Sequence, residues 1–171
     1  MDADASGDEG TAARPAILVS ACLLGVRCNH LGAGNASAAV VALGSTHRLV
    51  PVCPEVAGGL PTPRPAAELV DGRAVTASGD DVTSFYLRGA AAAVALAQSV
   101  GAARAVLKAR SPSCGCHEVY DGTFSRTRVA GRGLAAAALA SAGFDVGDEE
   151  DEARRAHEGS AARTMLGPSG A

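Results

Sequence analysis

The stretch Pro15-Ala16-Ile17-Leu18-Val19-Ser20-Ala21-Cys22-Leu23-Leu24-Gly25 decides the fold of this chain. An apolar run that gives way to glycine reads as a buried strand, here Ala16 to Leu24, and from that strand onward the pattern alternates. Asn35 to Leu43 reads as a short helix with Asn35 as its cap, and Arg48 to Cys53 as a second strand. Gly58-Gly59-Leu60-Pro61-Thr62-Pro63-Arg64-Pro65 must be a loop, because its prolines suit neither a helix interior nor a central strand. Val70 to Ala77, around Asp71-Gly72, reads as a small hairpin or edge excursion. The strongest helix begins at Ser78 or Asp80 and runs to about Val100. Ala103 to Lys108 is a third buried strand, Asp121-Gly122-Thr123-Phe124 a turn, Gly133 to Ala142 an alanine-rich helix, and Phe144 to Val146 a fourth short strand. Residues 1–15 and 148–171 read as polar tails, the first disordered, the second acidic with at most a frayed helix.

Strands alternating with helices imply an α/β fold, a single Rossmann-like three-layer domain at residues 16–147 with a small, mostly parallel sheet and helices on its faces. A length of 171 residues suffices for one respectable core and not for two. With 47% hydrophobic residues but only 3% aromatics, that core is built from Ala, Val and Leu, which favours close helix-on-sheet packing. The net charge of -3 conceals an asymmetry, since residues 16–147 carry 11 Lys and Arg against 8 Asp and Glu. A mildly basic domain suits a phosphate-bearing small molecule and is too weak a signal for a nucleic-acid duplex. No apolar run approaches the roughly 20 residues that cross a bilayer, so no membrane partner is expected. Five cysteines and an acidic start point to a reducing, cytoplasmic setting rather than a secreted disulfide scaffold.

Three of those cysteines sit where apolar runs end: Cys22, Cys53 in Cys53-Pro54-Glu55, and Cys114 in Ser111-Pro112-Ser113-Cys114-Gly115. Ligands of parallel α/β sheets bind beyond the carboxyl ends of the strands, so the topology places all three on one edge. Taken singly, each reads as a small buried hydrophobe. Together they leave several chemistries open. A structural zinc site would show thiols paired as C-x-x-C, which this chain lacks. A cysteine enzyme would need a base, and Cys116-His117 is the pair that supplies one. An iron–sulfur cluster, which takes thiolate ligands and can keep one iron open, suits three separated cysteines among small residues.

The ordered motifs Ser20-Ala21-Cys22-Leu23-Leu24-Gly25, Pro51 to Arg64, Ala77 to Thr83, Lys108 to Gly115 and Tyr120 to Phe124 resemble the thiouracil desulfidase (TudS) family over about residues 16–147. The resemblance implies a 4Fe-4S cluster held by Cys22, Cys53 and Cys114 with one open iron, supplied by cluster-assembly proteins. It implies non-redox, hydrolytic C=S cleavage of a thiolated pyrimidine such as thiouracil or 4-thiouridine monophosphate, with release of sulfide. Glu55 is then the candidate acid or base, and Ser111 the hydroxyl that positions water or the ring. Either has an ordinary structural role as well: Glu55 as a first-turn acid or the partner of Arg64, Ser111 and Ser113 as turn residues around Pro112. Lys108 is the sole lysine, a compact charge near the site, and with Ser113 and Asn29 it completes the expected substrate contacts. The chain departs from a common form of the family at Cys28-Asn29-His30-Leu31-Gly32, where relatives often carry Arg-Tyr-Asp-Gly. Cys28 and Cys116 are expected to be spare buried thiols. A non-catalytic metal-binding module is the alternative to an enzyme.

Overall fold

A computed structural model describes residues 14–165. Its centre is a four-stranded, wholly parallel sheet of β1 (Ala16–Ser20), β2 (Arg48–Val52), β5 (Arg104–Leu107) and β8 (Asp145–Asp148), in the order β2-β1-β5-β8. Every residue of β1 is buried, as befits a central strand covered on both faces. Leu18 packs with Ala93 and Ala97 of α3 (Thr83–Ser99) and Ala136 and Leu139 of α4 (Leu134–Ser141). Ile17 and Val19 pack oppositely, with Val40 of α1 (Ala38–Ala42), on which α5 (Glu149–Met165) also lies. The three layers expected from the sequence are present.

Two small hairpins stand outside the sheet. β3 (Ala67–Val70) and β4 (Arg73–Thr76) turn at Asp71-Gly72, both with positive φ, as expected of that dipeptide. β6 (Glu118–Tyr120) and β7 (Arg128–Ala130) were not foreseen; Asp121-Gly122-Thr123-Phe124 begins the connection between them. α2 (Pro54–Ala57) starts on Pro54, which suits a first helical turn, and it puts Glu55 in the first-turn position expected as its structural role.

Several boundaries differ from the sequence reading for local reasons. β1 ends at Ser20, and Ala21–Leu24 form a 3-10 turn closed by Gly25, whose φ of 89 allows its N–H to reach the Cys22 carbonyl at 3.0 Å. Asn35 does not cap α1. Ser37 occupies that position, while the Asn35 N–H bonds the Cys22 carbonyl at 2.8 Å. α3 begins at Thr83 rather than Ser78 or Asp80, because Asp80 is spent on Thr76 and Ser78 while Asp81 Oδ1 accepts from the Thr83 N–H at 2.9 Å.

The C-terminal segment differs most. Asp148 through Met165 are not a polar tail: Asp148 ends β8 and Glu149–Met165 form α5. Asp148 Oδ1 accepts from the N–H groups of Glu150 and Asp151, and Asp151 Oδ2 accepts in return from the Asp148 N–H, a reciprocal capping arrangement. The expected N-terminal tail lies, but for Arg14 and Pro15, outside the described residues. No helix among the described residues is long and apolar enough to cross a membrane.

Candidate active site

The chain runs from β1 out to β2 and then returns past β1 to β5, so strand order reverses between β1 and β5. In open α/β sheets a ligand crevice lies at such a point, beyond the strands' carboxyl ends. A cavity of about 600 Å³ opens there, lined by Cys22, Cys28, Cys53 and Cys114 together with Glu55 and Tyr86. Cys22 sits on the turn after β1, Cys53 directly after β2 as the cap of α2, and Cys114 on the loop after β5. All five cysteines are free thiols, and Cys116 is not among the cavity's walls.

Backbone contact between helices sets the place of Cys53 and Glu55. A Cβ on Gly89 of α3 would lie 1.8 Å from the Pro54 carbonyl oxygen, and one on Gly58 would lie 1.9 Å from that of Phe85. Only glycine lets α2 seat against α3 so closely.

Each thiol meets a donor or a cation. Burial pushes the Cys22 thiol up from its ordinary range while Asn35 hydrogen-bonds it and Lys108 opposes the rise. Burial lifts Cys114 to about 12, against the pull of the Ser20 hydroxyl. Cys28 is likewise pushed up to about 12 by burial and by Cys53 and Cys22. Arg64 Nη2 lies 4.0 Å from Cys53 Sγ. Buried thiols raised this far are neutral and poorly nucleophilic at physiological pH, whereas a coordinating metal deprotonates a thiol outright. The site is therefore chemically suited to holding a metal group.

Spacing says which kind. A single tetrahedral ion with metal–sulfur bonds of about 2.3 Å draws thiolates to about 3.8 Å from one another. Among the described residues, the one group of three metal-binding atoms within 4.8 Å is His117–Asp148–Asp151, so the cavity's thiols stand wider than one ion needs. Wider spacing fits a multi-iron cluster.

Glu55 Oε2 accepts from Arg64 Nε at 2.6 Å, both side chains nearly buried, and Tyr86 hydrogen-bonds the same carboxylate. The pairing with Arg64 foreseen as Glu55's structural role is thus present, and Glu55 also faces the cavity. Arg64 is fully engaged: Nη1 and Nη2 both donate to the Cys28 carbonyl at 3.1 Å, and Nη1 reaches Pro61 O and Thr62 Oγ1. Ser111 Oγ accepts the N–H groups of Ser113 and Cys114, each at 3.1 Å, which fixes the Cys114 loop and leaves its hydroxyl proton free.

The expected substrate contacts fare unequally. Asn29 lines the cavity but its Oδ1 closes a loop, accepting from Leu31 and Ala33 N–H groups at 3.0 and 2.8 Å. Lys108 also lines it, with Nζ paired to Glu149 Oε1. Ser113 does not: it is wholly buried beneath the start of α4, where its carbonyl accepts from Ala135 and Ala136. Its hydroxyl has no partner there. Turn and packing duties, rather than substrate contact, explain Ser113.

The alternative pair Cys116 and His117 does not meet. Cys116 Sγ donates to the Cys114 carbonyl at 3.4 Å, its thiol pushed far up by burial, and His117 Nε2 lies 2.9 Å from Asp151. Reasoning from sequence missed Ser20, Asn35, Tyr86 and Glu149. Ser20 carried a signal, since its small donor side chain stands just before Cys22 in the sequence; Asn35, Tyr86 and Glu149 are brought in only by the fold.

Fold and cavity together define an α/β domain with four thiols gathered at the switch point of a parallel sheet. The chain belongs to the 2-thiouracil desulfurase family, whose family model matches residues 17–151. It is 41% identical over 145 residues to the uncharacterized protein YbbK of Bacillus subtilis (strain 168), covering 79% of this chain and 96% of that one. Among solved structures it is similar to a [4Fe-4S]-dependent thiouracil desulfidase, TudS, at 42% identity and a TM-score of 0.77, over 86% of this chain and 99% of that one. The chain thus stands among iron–sulfur-dependent desulfuration enzymes.

Proposed function

We propose that this protein removes sulfur from thiolated pyrimidines by hydrolysis: a ring C=S group and water give C=O and hydrogen sulfide, with no net electron transfer. The observation that carries this reading is the convergence of Cys22, Cys53 and Cys114 with the Glu55 carboxylate on one cavity. These three cysteines hold a 4Fe-4S cluster, delivered by cluster-assembly proteins. Such a cluster, when bound by these residues, would supply a thiophilic Lewis acid suited to a substrate's C=S sulfur.

The chain's own groups do the rest. Glu55, held by Arg64 and Tyr86, takes the proton from the attacking water. A carboxylate anchored on two sides keeps a fixed direction, which is worth more to catalysis than a mobile one. The free hydroxyl proton of Ser111 points a donor at the water or the ring, because both its acceptor sites are spent on backbone N–H groups. Lys108, close to Cys22, offsets negative charge gathered on the thiolates and leaving sulfide. The Asn29 amide nitrogen, free of its loop-closing oxygen, is left to donate to a pyrimidine carbonyl.

Anaerobic reconstitution followed by a sulfide assay over thiouracil, thiouridine and thiouridine monophosphate tests cofactor and reaction together. The expected product is a brown protein with about four irons per chain. Glu55→Gln should keep the iron and lose about 100-fold or more in sulfide release. Colourless protein, or undiminished turnover in that variant, would overturn the reading.

A further inference from the structure

The proposed ligand set leaves one cavity thiol over, and Cys28 is not placed at random. It lies 8% exposed on the loop after the Cys22 turn, and its thiol hydrogen-bonds that of Cys53. The Cys53 thiol reaches back to the Cys28 carbonyl at 3.6 Å, so the two residues touch through both side chain and backbone. Arg64 fastens the contact from behind: two of its nitrogens hold the Cys28 carbonyl at 3.1 Å while Nη2 faces Cys53 Sγ. Cys53 is only half-buried, the most accessible of the five cysteines. An accessible thiol beside a cation, with a second thiol already in contact, is the arrangement of a cysteine pair built to close into a disulfide.

We propose that Cys28 and Cys53 form such a pair, closing whenever the cluster is absent and a low-molecular-weight disulfide is present. Cys53 attacks that disulfide, forming a mixed disulfide and expelling one thiol. Cys28, a poor nucleophile in free encounter but held in contact with the Cys53 sulfur, then attacks it as its proton is lost, forming the Cys28–Cys53 bond and expelling the second thiol. Two protein thiols are oxidised by two electrons, and the small disulfide is reduced to two thiols. The bond shields Cys53 from irreversible over-oxidation and, resting on the assignment of Cys53 as a cluster ligand, blocks iron loading until a dithiol reverses it.

The test treats the full-length, metal-free chain with oxidised glutathione and maps disulfides by non-reducing peptide mass spectrometry, then measures iron uptake before and after dithiothreitol. Expected are a dominant Cys28–Cys53 linkage, iron uptake cut at least 10-fold, and recovery on reduction. Cys28→Ser should instead accumulate glutathione on Cys53, a readout that needs no turnover. Another linkage, or none, overturns the pair. A Cys28–Cys53 linkage with undiminished iron uptake overturns the loading gate, and it locates the fault in the ligand role of Cys53 rather than in the pair.

Discussion

The carboxyl ends of β1 and β2 and the carboxyl end of β8 emerge on one edge of the same sheet, yet the first pair collects thiols and the other collects carboxylates. At the acidic end every carboxylate is tied down. Glu149 takes Lys108 Nζ and the Ala109 N–H, Glu152 takes Arg104 through two nitrogens at 2.6 and 3.1 Å, and Asp151 takes His117 and Arg154. At the thiol end Cys22 and Cys114 meet the Asn35 amide and the Ser20 hydroxyl, and burial pushes both thiols up from their ordinary range. Carboxylates here are fasteners that bind α5 to β5 and the Cys114 loop, while the thiols keep their bonding capacity for a guest. Cys114 and Cys116 bring the contrast within three residues: one faces the cavity, the other faces Asp148 and Asp151.

That difference breaks if both cysteines matter equally to iron. Cys114→Ala is expected to lower retained iron from about four per chain to near none, whereas Cys116→Ala should keep it; iron analysis after desalting reads the difference. Next in size is the ion pair beneath the thiol end. Arg64→Met leaves the Glu55 carboxylate buried without its cation and should cost about 3–5 kcal/mol in urea denaturation. Gly89→Ala follows. Helix propensity alone predicts a gain of about 1 kcal/mol at this position. Backbone overlap with Pro54 should outweigh it and leave a net loss of about 2 kcal/mol, so a stabilised variant would show that α2 is not seated as described.

Much of the thiol end was legible because its chemistry is punctuated in the sequence. Each apolar run stops at a small residue, a proline or a glycine, and β1, β2 and β5 were read to within a few residues of their ends. The convergence of Cys22, Cys53 and Cys114 followed from topology. The acidic end was misread because a run of Glu149-Glu150-Asp151-Glu152 looks like a solvated tail when composition is weighed alone. The same residues, placed after Asp148, form the acid-rich first turn of a capped helix, and that signal was available. The β6–β7 hairpin was harder: its strands are three residues each, and all of β7 is exposed, so no apolar alternation announces it. Cys28 meeting Cys53 rests on Arg64 reaching across 36 positions, which no local pattern encodes.

The smallest expected effect tests whether the acidic end holds by charge. His117 is raised above its ordinary 6.5, chiefly by its hydrogen bond to Asp151, with Asp148 adding to the rise and Arg132 opposing it. Burial works against ionisation of Asp151, yet His117, the Asp148 N–H and Arg154 hold it down at about 2. The signs differ between the partners. The histidine's contribution is complete below pH 6.5 and fades as pH climbs through its raised folded value, while the aspartate's is complete above pH 3.8 and fades as pH falls toward 2. Both are present between those limits, so this contact should add most to stability between pH 3.8 and 6.5 and lose the histidine's share as pH rises through His117's raised folded value. With the His117 side chain 57% exposed, solvent screening limits the whole change to less than about 1 kcal/mol. Asp151→Asn should return His117 toward its ordinary value in an NMR titration and flatten that part of the pH profile. An unmoved His117 would mean that packing, not charge, keeps α5 against the Cys114 loop.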